Sequence, residues 1–132
     1  MSLSFTIDGP APSDLQRVRS KLHDLSELVT QLGEMQHQMT MEDYSSQVSP
    51  DGAGWVGGPN YHGLVESGAM QGGITLSAGG NTATITASDF KSPFHNFGTS
   101  RGIPPRPFIG IGARHEAKLK ETAEQWLQSL LG

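Results

Sequence analysis

The run Ile103-Pro104-Pro105-Arg106-Pro107-Phe108-Ile109-Gly110 places three prolines within four residues. Each proline holds φ near about −65° and removes a backbone donor, so the run is excluded from helix interiors and from central strands. It reads as a rigid, extended surface segment, preceded by Phe94-His95-Asn96-Phe97-Gly98. A rigid segment has already lost the conformational entropy that a flexible loop gives up on docking, which marks it as a contact element. The candidate docking residues are therefore His95, Phe97, Ile103, Pro104, Pro105, Arg106, Pro107 and Phe108. Arg106 is its polar anchor: the planar guanidinium suits a carboxylate or the carbonyls at a helix end, either within the chain or in a neighbouring one.

What surrounds this segment has little apolar material to work with. The 132 residues form one expected domain, 1–132, with only 35% hydrophobic residues beside 17 Gly and 8 Pro, so loops must be plentiful and the core modest enough for oligomerisation to complete it. The absence of cysteine excludes disulfides, thiolate metal sites and thiol nucleophiles. A formal charge of −4 argues against nucleic acid as a partner, since phosphate neutralisation needs clustered Lys and Arg. No apolar stretch approaches the roughly 18 residues of a membrane helix, and the N-terminus lacks a signal-peptide pattern, so a soluble, unexported chain is expected.

The pattern of the chain predicts an α+β fold: a single small antiparallel sheet with a long N-terminal amphipathic helix and a C-terminal helix. Residues 3–7 alternate, placing Leu3, Phe5 and Ile7 on one strand face before Asp8-Gly9-Pro10 ends it. Ser13 with Gln16 forms a capping box, and Leu15, Val18, Leu22, Leu25, Val29 and Leu32 follow in a narrow, heptad-like seam. Past Gly33 the period resumes through Met35, Gln36, Met39 and Tyr44, giving a resumed or bent helix over 34–44. A loop-rich segment at about 45–63 contains Trp55 alone among small residues, and its ring is expected to anchor the loop to the core. Residues 74–77 and 82–87 flank Gly79-Gly80-Asn81 as a hairpin, with Ile74 and Leu76 facing Ala83, Ile85 and Ala87 and a wet Thr/Ser face opposite. After a possible strand at 108–111, residues 113–131 form a helix whose stripe of Leu119, Ala123, Trp126 and Leu130 should tie it to the sheet.

Chemistry is harder to find. Gly110-Ile111-Gly112 lacks the third glycine and the acidic residue of a dinucleotide turn, and Glu66-Ser67-Gly68 is not a nucleophile elbow. The histidines at 23, 37, 62, 95 and 115 include no i, i+4 pair, leaving a cross-fold metal or small-ligand site at His62 and His95 as the alternative to a plain interaction protein. No enzyme activity and no cofactor are expected.

Taken in order, Pro50-Asp51-Gly52 with Trp55, Leu64-Val65-Glu66-Ser67-Gly68-Ala69-Met70, His95-Asn96-Phe97-Gly98 and Ile103 to Gly110 give a pattern that resembles the phage virion morphogenesis family of tail completion proteins, as in Mu-like phages. The resemblance covers most of the chain. It implies a structural virion component of a phage or prophage, made in the host cytoplasm and acting in tail completion or head-tail joining. Its implied partners are copies of itself in an oligomeric ring, a hexamer being one such closure, and other tail or head-tail connector proteins. Where the family has Tyr-Ala ahead of the histidine, this chain has Ser92-Pro93-Phe94.

Overall fold

A computed structural model describes residues 1–6, 15–57, 63–64 and 68–131, with side chains except at 15–24 and 130–131. In chain order its elements are β1 (Ser2–Thr6), α1 (Leu15–Ser46), α2 (Ala69–Gly72), β2 (Ile74–Gly79), β3 (Thr82–Ala87), α3 (Ser92–Phe97) and α4 (Ala113–Leu131). The fold is α+β. The three strands form one antiparallel sheet in the order β1-β3-β2. Ile74 pairs with Ala87 and Leu76 with Ile85, which sets these residues on the one face read from the alternation. Gly80 opens the two-residue hairpin loop at φ 58, where a type II′ turn calls for glycine. On β1, Leu3 and Phe5 are half-buried while Ser2, Ser4 and Thr6 are exposed, so the wet face is as expected; Ile7, the Asp8-Gly9-Pro10 stop and the Ser13 cap lie outside the described residues.

One helix covers the sheet. At 32 residues, α1 is about 48 Å long, whereas a six-residue strand spans roughly 20 Å. The sheet can therefore cover less than half of α1, and α4 takes up another part of it. This corrects the narrow seam: Leu28, Val29, Leu32, Gln36, Met39, Thr40, Asp43 and Tyr44 are all buried, a broad face shared between the sheet and α4. The side chains of Leu15, Val18 and Leu22 lie outside the described residues. It also corrects the placing of α4, whose main partner is α1 and not the sheet, because α1 already occupies the apolar side of the sheet.

Gly33 does not end α1, which runs through it without a break. A Cβ there would sit 2.8 Å from the Ala83 Cβ and 3.0 Å from Leu76, so the glycine marks the point where the helix backbone approaches the hairpin most closely. The helix ends in a Schellman motif, with the Val48 N–H donating to the Asp43 carbonyl at 3.0 Å and the Gln47 N–H to the Tyr44 carbonyl at 3.2 Å; Gln47 takes the left-handed position at φ 61. The core is Tyr44, Met70, Ile74, Ile85, Ala87 and Phe108, with Leu3, Met41, Trp55, Leu64 and Ile109 packed against it.

Candidate interaction surface

The proline segment is built into the chain by two helices and a loop. It has no regular secondary structure, and the strand expected at 108–111 is absent, because its backbone donors are used by a side chain instead of a neighbouring strand. The buried Asn96 Oδ1 accepts from the Phe108 N–H at 2.9 Å and the Ile109 N–H at 3.0 Å. The Arg106 N–H donates to the His95 carbonyl at 2.7 Å. Gly98, with φ 74 and ψ 175, lets the chain double back after α3. That conformation is open essentially to glycine alone, and a Cβ would lie 2.9 Å from the Ile103 carbonyl oxygen.

Arg106 and Phe108 are not surface residues. Phe108 is 1% exposed and stacks edge-on to Tyr44, ring centroids 5.3 Å apart. Arg106 is buried, its Nε donating to the Val56 carbonyl at 2.7 Å and Nη2 reaching the Gly57 carbonyl at 3.4 Å. Both therefore face inward: of the two kinds of partner open to Arg106, the guanidinium meets carbonyls of its own chain, and Phe108 is pulled down where the core has room for its ring. Ile103, Pro104 and Pro107 are half-buried and Pro105 is exposed. Trp55 joins the same cluster, 5.2 Å from the Tyr44 ring and 6.4 Å from Phe108, and its indole N–H donates to the Pro107 carbonyl at 2.8 Å. The Tyr44 hydroxyl donates to the Leu64 carbonyl at 2.6 Å.

A polar network lies beside this cluster, and nothing in the sequence pattern announces it. Asp43 Oδ2 receives both His115 Nε2 and Arg114 Nη2 at 2.7 Å. The Gly112 N–H donates to His115 Nδ1 at 3.3 Å, so Nδ1 is the acceptor and Nε2 carries the proton given to Asp43. Gln36 Nε2 lies 3.3 Å from the same Nδ1 and 3.2 Å from Thr40 Oγ1. Arg114 also donates to the Ser49 carbonyl at 2.9 Å. A Cβ on Gly112 would overlap the Pro50 carbonyl oxygen, so this glycine lets α4 begin against the 49–51 turn. Both nitrogens of His115 are engaged within the chain and the ring is 1% exposed; the network fastens α1, α4 and the Trp55 loop together.

Among the described residues the large apolar side chains left outside are Val56, Ile111, Leu127 and three aromatics. Phe90, Phe94 and Phe97 are 79%, 49% and 69% exposed, three of the five phenylalanines, at the i, i+4, i+7 spacing of one helical face around α3. Of these, Phe97 is among the expected docking residues; Phe90 and Phe94 are not, since an alternating or helical apolar pattern is normally assigned to a core. Lys91 Nζ stands 5.9 Å from the Phe90 ring centroid. His95, on the other side of α3, keeps a buried Nδ1 without a partner, as does Ser92 Oγ. Burial first, then the Arg106 and Lys91 cations, hold the His95 imidazole below the ordinary histidine range, partly opposed by Asp89. The His62 member of the alternative ligand pair lies outside the described residues. Among the described residues, no group of three or more His, Asp or Glu side chains is placed to hold a metal ion, and no helix is long and apolar enough to cross a membrane.

Residues 10–128 match the phage virion morphogenesis family. The chain belongs to that family. It is thus a member of a group of virion assembly proteins, a structural kind of protein. No curated protein and no solved structure matches the chain.

Proposed function

We propose that this member of the family is a non-enzymatic assembly protein of a phage or prophage virion, acting in tail completion or head-tail joining as a homo-oligomeric ring. It is made in the host cytoplasm and retained in the virion, where its other partners are tail or connector proteins. The observation that carries this reading is the exposure of Phe90, Phe94 and Phe97 beside a segment whose every flank is braced. Two solvent-facing phenyl rings on one short helix and a third in the turn before it lose apolar hydration when a partner covers them, and aromatic residues in rigid settings are the usual centres of binding energy. The brace formed by Asn96, Arg106 and Trp55 keeps the presenting helix in one orientation, so docking orders little that was free. Size-exclusion chromatography with light scattering on the purified chain tests the ring. A discrete multiple of the chain mass is expected; a monomer over the whole micromolar range contradicts it.

A further inference from the structure

Charge is divided unevenly over this chain. Around α3, Arg101 is exposed and Lys91 half-exposed, with Lys91 Nζ 3.9 Å from Asp89 Oδ2, while Arg106 is buried on the Val56 and Gly57 carbonyls, in a chain whose formal charge is −4. Residues 25–46 of α1 carry four carboxylates and no Lys or Arg. Of these, Asp43 is already neutralised by Arg114, while Glu27, Glu34 and Glu42 are exposed. With Gln31 and Gln38 between them, also exposed, they form a stripe on the side of α1 turned away from Val29, Gly33 and Gln36. A cavity of about 290 Å³ opens on this stripe, lined among the described residues by Ser26, Glu27, Thr30, Gln31 and Glu34.

Resting on the ring reading above, we infer that the Phe90, Phe94 and Phe97 face, flanked by Lys91 and Arg101, docks on the Glu27 to Glu34 stripe of α1 in a second copy of the chain. The two surfaces are complementary in charge and different from each other. A contact between unlike surfaces repeats head to tail and closes into a ring when its rotation allows, whereas a contact of one surface with itself stops at a dimer. Phenyl rings supply the apolar area, and the shallow, open hollow beside Thr30 is where one of them rests. Lys91 and Arg101 opposite Glu27 and Glu34 set the register and speed encounter.

The chain contains no cysteine, so engineered cysteines report this contact without background. Full-length Phe94→Cys and Gln31→Cys chains are mixed and mildly oxidised. A disulfide-linked pair of unlike chains is expected, with neither variant cross-linking to itself, and a chain carrying both substitutions should give a ladder of linked multimers. In the charge arm, Lys91→Glu weakens assembly at least about tenfold and Glu34→Lys in the same chain restores it, while raised salt weakens the wild type. Circular dichroism melting of each variant separates lost contact from lost folding. A monomeric wild type overturns the ring reading and this contact with it. An assembled wild type whose mixed variants do not cross-link and whose assembly ignores Lys91→Glu overturns this contact alone. Self-linking of Phe94→Cys overturns the head-to-tail arrangement, and a face that binds purified tail tubes but leaves wild-type assembly untouched when Phe94 and Phe97 become serine overturns the second copy as occupant.

Discussion

Replacing Asp43 with alanine strips the acceptor from two donors at once, and the structure separates their costs. His115 Nε2–H is buried, so it is left with no acceptor and no water, a penalty of about 1–3 kcal/mol. Arg114 keeps its bond to the Ser49 carbonyl and its side chain is 43% exposed, so the screened ion pair adds at most about 1 kcal/mol. Asp43→Ala should therefore destabilise the chain by about 1–4 kcal/mol. Asp43→Asn, with its carbonyl oxygen in the place of Oδ2, still accepts from both His115 and Arg114 but loses the charge, and should cost about 1 kcal/mol. Urea denaturation at one fixed protein concentration measures both, with an unchanged m-value showing that the same structure is lost. Linkage between the sites is checked by the double cycle with His115→Ala, in which the second substitution should cost much less once Asp43 is gone. If Asp43→Ala lies within about 0.5 kcal/mol of wild type, or if asparagine is as damaging as alanine, the network is not a fastening between α1 and α4.

Three further outcomes follow from the same geometry. Gly33→Ala adds about 1 kcal/mol of helix propensity but pushes a methyl to 2.8 Å from the Ala83 Cβ, whose strand cannot easily move, so a net loss of up to about 2 kcal/mol is expected in thermal melts, and a raised midpoint would count against the close approach. Arg106→Ala should lower the denaturant midpoint by about 2 kcal/mol worth of stability and Arg106→Lys should not restore it, since an ammonium cannot reproduce the guanidinium fork on Val56 and Gly57; wild-type stability in the alanine variant would sink the brace. Because the folded-state pKa of His95 lies below its unfolded value of about 6.5, the unfolded chain takes up the proton first, so this contribution is intact above that pH and is lost as pH falls through it towards the folded pKa. His95→Gln should flatten the fall of stability between pH 7 and 5, as measured by urea midpoints in buffers of matched ionic strength; an unchanged slope contradicts it.

The hairpin and both long helices were legible because their cues are local. Alternation around Gly79-Gly80-Asn81 set Ile74 and Ala87 on one face, and the 113–131 helix lies where its stripe and flanking glycine put it. Longer-range facts were not legible. Gln36, Thr40 and Asp43 look like solvent positions by type, and only the arrival of Arg114 and His115, more than 70 residues later, makes a buried polar face of them. The prolines correctly excluded regular structure from 103–108, yet they said nothing about which way the intervening side chains point. Arg106 and Phe108 turned inward because the Trp55 loop and Tyr44 offer carbonyls and a ring-sized space. Outward, the exposed aromatics moved to α3, a helix that the Ser92-Pro93 pair begins with proline in its first turn, where the missing N–H costs nothing.

On the function proposed above, the chain completes a virion and its phenylalanine face does so. A prophage from which the coding sequence is deleted, complemented in the host with wild type or with a Phe90→Ser, Phe94→Ser, Phe97→Ser variant, puts both halves to one count of infectious particles. Wild type should restore the yield, while the variant, folded by its melting curve, should leave it reduced at least about a hundredfold with heads and tails separate in electron micrographs. Full yield from the deletion, or from the folded triple variant, would contradict it.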